Sequence, residues 1–234
     1  MTDKHFTYLW VDFFCIIFPL LFSFHPRIQF HKQLKYFWKP CLGVALFFLV
    51  WDSIFTNLGV WRFNPDYLTG IFIYNMPIEE VLFFICIPYA CVFTFYCCET
   101  LFTIRPATQN FYVTVLFLAF ALLITGLFFY DRLYTAITFF LLALVLFWLV
   151  HSRAPFLKTF MISFLLILLP FFLSNGVLTG SFTDAPVVIY NDYENLGVRM
   201  FTIPVEDTFY GMLLLLLNVW AFEHSRSVQA LKTV

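Results

Sequence analysis

The chain has 234 residues, 62% of them hydrophobic and only 12% charged, with a mean hydropathy of +0.87. A soluble domain carries about a quarter charged residues, so the composition excludes a water-soluble globule and places the chain in a membrane. The formal net charge of −1 gives no basic surface for nucleic acid and no attraction for an acidic substrate.

A helical span needs roughly 20 mainly apolar residues. Seven are predicted, near 6–24, 37–57, 77–97, 111–130, 133–150, 156–174 and 203–222. The first, in MTDKHFTYLWVDFFCIIFPLLFSF, is followed by no small-residue cleavage site and reads as a retained span rather than a signal peptide. It carries one acid, Asp12, a weak candidate for function. Span 2 holds Asp52 and Asn57 near its end, and span 3 opens on PIEE, Pro77 to Glu80. Only Asp131 and Arg132 separate spans 4 and 5, a tight hairpin. Span 6 closes on SNGVL, Ser174 to Leu178, and a long loop with DAPVVIYNDYENLG leads to span 7. That span begins TIPVEDTFYGMLLLLLNV, with Glu206 and Asp207 ahead of a leucine run and Asn218 within it.

Proline is tolerated in a first helical turn, so Pro77 and Pro204 mark helix starts. Aligning them aligns Glu79 with Glu206 and Glu80 with Asp207, at an offset of 127 residues. TNLGV, Thr56 to Val60, corresponds to SNGVL, which would make Asn57 and Asn175 equivalent. The expected architecture is all-α: seven transmembrane helices arranged as two parallel three-helix repeats joined by a linker helix. The divisions are 1–100, 101–132 and 133–234. Spans 3 and 7 then run in one direction, and a pseudo-two-fold axis along the membrane normal brings both acidic motifs together. Four basic residues, Lys4, Arg62, Arg132 and Arg199, lie on the N-terminal side, and the other nine, Lys232 among them, lie opposite. The positive-inside rule therefore puts the N-terminus outside and the C-terminus in the cytoplasm.

A helix N-terminus offers free N–H groups and a positive dipole end, which favour carboxylates. One acidic pair alone reads as helix capping; the same pair at matching places in two repeats reads as a site, since ionisable groups within a membrane are costly. Clustered carboxylates cannot all ionise cheaply, so one can stay an acid while a neighbour acts as a base. Adjacent helical residues point about 100° apart, so one member of each pair can face a cavity while the other orients it or faces a neighbouring helix; the sequence does not say which. Asp52 and Asn57 are candidate supporting partners of the first motif. Asn218 is a candidate wall residue or a packing amide bonded to another helix. Glu99 and Glu223 close spans 3 and 7 as interface charges. Aromatic residues, 35 of them Phe, make up 23% of the chain. Lipid contact and interfacial anchoring account for many, but ring faces also stabilise cations.

Other chemistries have no signature here. The six cysteines show no CxxC or Cys/His metal spacing. Cys15, Cys41, Cys86 and Cys91 read as packing residues, while Cys97 and Cys98 sit at a span end. The five histidines lie at or beyond span ends. No dinucleotide or phosphate-loop glycine pattern occurs, no Asp-rich run is present for a diphosphate-bound magnesium, and span 7 has no lysine for a retinal Schiff base.

The paired PIEE and PVEDTFYGMLLLLLNV motifs resemble the membrane-integral lycopene cyclases, in which two homologous small subunits form the enzyme or are fused in one chain. The resemblance covers roughly residues 6 to 224 and is most specific from Pro204 to Asn218. It implies redox-neutral cyclisation of the acyclic ψ ends of lycopene to β-ionone rings, giving γ-carotene and then β-carotene. It implies no cofactor and no metal, a carotenoid substrate entering from the lipid phase, and an acid and a base among Glu79, Glu80, Glu206 and Asp207. Related isoprenoid cyclases and carotenoid hydratases use the same protonation logic. A three-plus-one-plus-three plan is also that of the SWEET sugar carriers, which need a polar midplane site; here the polar residues gather at one face.

Overall fold

The computed structural model describes residues 4–232, with side chains through residue 230. The extreme ends of the two expected repeats, 1–3 and 233–234, and the Lys232 side chain lie outside the described residues. Seven helices follow in order: α1 Thr7–Phe22, α2 Leu34–Leu58, α3 Ile78–Leu101, α4 Gln109–Phe128, α5 Leu133–His151, α6 Leu157–Thr179 and α7 Val205–Lys232. All seven are long and apolar enough to cross a membrane, so the protein is an all-α, multi-pass integral membrane protein. In lipid only a helix satisfies its backbone polar groups without a neighbour, which is why apolar runs of this length settle into one form.

α1 packs on α3 as α5 packs on α7, and α2 packs on α7 as α6 packs on α3. The helix pairings of the first half thus recur, in chain order, in the second. α4 packs chiefly against α5 and turns Phe117, Ile124 and Phe128 outward. Helix α7 is the most enclosed of the spans and α1 the least.

Three small two-stranded sheets, unforeseen in an all-α reading, lie in the loops at the face where α3, α5 and α7 begin. The strands are β1 Trp61–Phe63, β2 Phe72–Ile73, β3 Met76–Pro77, β4 Val188–Tyr190, β5 Arg199–Met200 and β6 Ile203–Pro204. Runs of two or three residues are too short to show a period-2 pattern. The hairpins β2–β3 and β5–β6 are again 127 apart, each with a two-residue turn opened by a positive φ, +58° at Tyr74 and +59° at Phe201. Glycines precede both at positive φ, Gly70 at +83° and Gly197 at +69°, a region where a Cβ is strained. Strands β1 and β4, themselves 127 apart, pair antiparallel, Trp61 with Tyr190 and Phe63 with Val188. The register is symmetric about Arg62 and Ile189, so a local two-fold passes between the halves at this face.

Two helix ends depart from expectation. α6 runs on to Thr179, so SNGVL is helical; it closes at Gly180, whose φ of +102° ends it in the left-handed region. α7 continues to Lys232, ten residues beyond the apolar run, as its polar end leaves the membrane. Prolines 19, 40, 88 and 170 lie inside helices, each removing one backbone hydrogen bond; packed neighbours make that tolerable in a membrane.

Candidate active site

The first turns of α3 and α7 start immediately after the β3 and β6 hairpin strands, so both acidic pairs are set by the same local device. Within each pair the helix geometry separates the roles. Glu79 and Glu206 are fully buried and turn back toward their own loops. Glu79 Oε1 accepts the Thr69 N–H at 2.7 Å, and Glu206 Oε1 accepts the Leu196 N–H at 2.8 Å, ten residues upstream in both cases. Thr135 Oγ1 of α5 also donates to Glu206 Oε1 at 2.5 Å. The second oxygen of each glutamate has no hydrogen-bond partner among the described residues. These two side chains clasp the loop to the helix, and neither belongs to the cavity wall.

Glu80 and Asp207, rotated about 100° from their neighbours, do line it. Glu80 Oε2 accepts the Tyr8 hydroxyl at 2.5 Å, and the buried Asp52 carboxyl from α2 lines the same cavity. Asp52 Oδ1 accepts the Tyr210 hydroxyl at 2.5 Å. Asp207 is held by three donors: Tyr134 to Oδ1 at 2.6 Å, Asn175 Nδ2 to Oδ2 at 2.7 Å, and Tyr190 to Oδ2 at 2.9 Å. Tyr190 lies in the loop strand β4; burial first, then the Asp207 charge, holds its phenol well above the ordinary value near 10, so it remains a donor.

The cavity has a volume of about 750 Å³, within the usual range for small-molecule sites. Asp52, Glu80 and Asp207 sit at its head with a set of packed rings. Trp61 stands edge-on to Tyr134 at 5.2 Å, Tyr134 stacks on Tyr190 at 5.9 Å, and Tyr210 lies 6.1 Å from Tyr134. From this head the wall follows α3 from Glu80 to Thr94, which at 1.5 Å per residue is about 21 Å. Trp10, Phe14 and Phe18 of α1 and Leu173 of α6 form its outer rim and are themselves exposed, so the cavity opens sideways to lipid. Another hollow of about 760 Å³ between α2 and α7, beside Lys35, Lys39 and His224, is lined by no carboxylate.

The structure therefore brings together Glu80, Asp207 and Asp52, and leaves Glu79 and Glu206 behind the wall. Asn57 is exposed and accepts the Asn75 amide at 3.0 Å, away from the cavity. Its supposed equivalence with Asn175 fails because the helix ends differ: Asn57 stands two residues before left-handed Gly59, Asn175 five before left-handed Gly180. Asn218 is buried outside the cavity wall and donates to the Leu214 carbonyl at 2.8 Å. Asp12 is buried one turn from Tyr8, also outside the wall, with neither oxygen bonded among the described residues. Glu99 and Glu223 both pair with Arg226, at 2.7 and 2.5 Å. Sequence reasoning missed Tyr8, Tyr134, Tyr190 and Tyr210. Tyr8 and Tyr134 carry a signal, since each lies in the opening turn of the first helix of its half, 126 residues apart.

Fold and site define a polytopic membrane protein whose buried carboxyl groups head a lipid-open, aromatic-lined cavity. The lycopene cyclase family profile matches residues 5–98 and 131–225; the chain belongs to the lycopene cyclase family. A bifunctional lycopene cyclase/phytoene synthase of Aspergillus niger is 35% identical over 71 residues, 29% of this chain and 12% of that protein. The matched stretch thus spans about an eighth of the length of that curated relative. No solved structure matches the chain.

Proposed function

We propose that this chain is a lycopene cyclase of carotenoid biosynthesis. It converts the acyclic ψ ends of lycopene to β-ionone rings, as an intramolecular lyase of the isomerase kind. The observation that carries the reading is the gathering of Asp52, Glu80 and Asp207 at the head of an apolar cavity that opens to lipid. A linear polyene drawn from the bilayer fits a channel that follows α3 for about 21 Å, with its end group among the carboxyls and rings.

The chemistry is proton-initiated. An acid adds a proton to C2 of the ψ end, leaving a tertiary cation at C1. The C5–C6 double bond attacks C1, closing the ring and moving the charge to C5. Loss of the C6 proton to a base gives the β ring, whereas loss from C4 gives the ε ring. Trp61, Tyr134, Tyr190 and Tyr210 offer ring faces to the cation, and the site's own acids and bases supply and remove the proton. No redox step occurs. Glu80 and Asp207 face the substrate, while Glu79 and Glu206 position the loops that close the head. The three-plus-one-plus-three division, with α4 as linker, and an outside N-terminus complete the proposal. The apolar cavity wall below the head favours a greasy substrate over the polar midplane site of a solute carrier.

Expression in cells that accumulate lycopene, followed by chromatography of the pigments, tests the proposal. γ-Carotene and β-carotene are expected; unchanged lycopene with the protein present in the membrane overturns it.

A further inference from the structure

Resting on the cyclisation reading, we infer that the two halves of the site have different jobs: Asp52 and Glu80 together hold the proton that starts the reaction, and Asp207 is the base that ends it. Asp52 thereby becomes a catalytic residue outside both acidic motifs. Two independent observations support the assignment. The first is charge and burial. Asp52 and Glu80 are both buried and line one cavity, and no Lys, Arg or His among the described residues joins them there, so two charges side by side are costly and one proton stays with the pair. One oxygen of each is already occupied, Glu80 Oε2 by Tyr8 and Asp52 Oδ1 by Tyr210, both at 2.5 Å. Both phenols donate, which leaves the shared proton as the one the pair can release to a substrate in the cavity that both carboxyls line.

The second observation concerns Asp207. It accepts from two phenols and one amide, none of which it has to share with another acid. Hydrogen bonds to the charged form of a carboxylate favour that form, and this set matches a carboxylate that needs no proton of its own. Glu80 shares its cavity with an acid of α2, Asp52, whereas Asp207 accepts from an amide of α6, Asn175.

The step balances. The pair loses one proton to C2 as the C1–C2 π bond is consumed, the C1–C6 bond forms as the C5–C6 π bond is consumed, and the C6–H bond breaks to restore a C5–C6 double bond while Asp207 gains a proton. Asp207 releases its proton to solvent and the pair takes one from solvent between turnovers, which resets the site with no oxidant or reductant.

Deuterium separates the two roles. Membranes carrying equal amounts of each variant are incubated with lycopene in heavy water, and both product and recovered lycopene are analysed by mass spectrometry. With Asp207→Asn the starting protonation still occurs and the cation collapses without its base, so recovered lycopene carries deuterium at C2 or the ring double bond is misplaced as in ε or γ ends. With Asp52→Asn the starting protonation is lost, and label and ring formation fall together by about 100-fold or more. Glu80→Gln breaks the pair from the other side and is equally silent. Wild-type label or rings from Asp52→Asn, or neither label nor misplaced rings from Asp207→Asn, overturn the assignment. Unchanged, unlabelled lycopene with the wild-type chain overturns the cyclisation reading itself.

Discussion

Glu80 and Asp207 stand at matching places at the starts of α3 and α7, and each accepts a phenol from the first helix of its own half, Tyr8 at 2.5 Å and Tyr134 at 2.6 Å. The likeness ends with the next helix, which sets a second acid, Asp52, in the cavity with Glu80 and offers Asp207 an amide. Duplication preserves the scaffold that sets the carboxyls, down to the 127-residue spacing of the hairpins and of the loop clasps on Glu79 and Glu206. Acid–base work needs two unlike groups, and the unlikeness comes from side chains that face the motifs rather than from the motifs. Under the proposed chemistry, a symmetric frame with asymmetric partners lets one fold give and take a proton within one cavity.

The largest effects expected fall on the cavity-facing acids. Glu80→Gln and Asp207→Asn each lower β-ring formation by about 100-fold or more, in the range for removing an acid or base, with membrane abundance retained. Pigment analysis normalised to protein checks this. Near-normal β-carotene from either variant would break the division between cavity-facing and loop-facing carboxylates.

The loop-facing acids should fail differently. Glu206→Ala leaves the buried Thr135 hydroxyl and the Leu196 N–H without their acceptor, at about 1–3 kcal/mol for each buried unsatisfied group. A lower Tm in detergent is expected, with less activity lost per folded molecule than in Asp207→Asn. Glu79→Ala loses a single backbone bond and should shift Tm less than Glu206→Ala. Equal shifts would mean that the Thr135 contact contributes nothing.

Smaller again is Tyr134→Phe. It deletes one of the three donors to Asp207, about 1.5–3 kcal/mol for a bond to a charged group, and should cut cyclisation without stopping it. Asn57→Ala is expected to leave cyclisation unchanged and stability within about 0.5 kcal/mol, as for an exposed site away from structural features. A loss of cyclisation there would restore Asn57 to the site.

The spans and the duplicated motif were legible because long apolar runs in lipid have one outcome and because PIEE and PVED stand out as charge beside apolar sequence. Which acid of each pair faces the cavity was not legible, since a 100° rotation acquires meaning only once the neighbouring helices are placed. Asp52 was visible as an acid within span 2, yet its place in one cavity with Glu80, 28 residues on, depends on how α2 meets α3. Tyr8, Tyr134, Tyr190 and Tyr210 were lost among the many aromatic residues that the membrane alone accounts for. Asn57 and Asn175 misled because two matching Asn–Gly neighbourhoods sit at different heights on helices of unequal length.

The central claim is that a proton begins the cyclisation, and the most direct measurement counts deuterium in the product. Wild-type membranes supplied with lycopene in heavy water should yield β-carotene carrying one deuterium per ring formed, located at C2. Cyclised product without deuterium would contradict a proton-initiated mechanism, and lycopene recovered unchanged would contradict the activity.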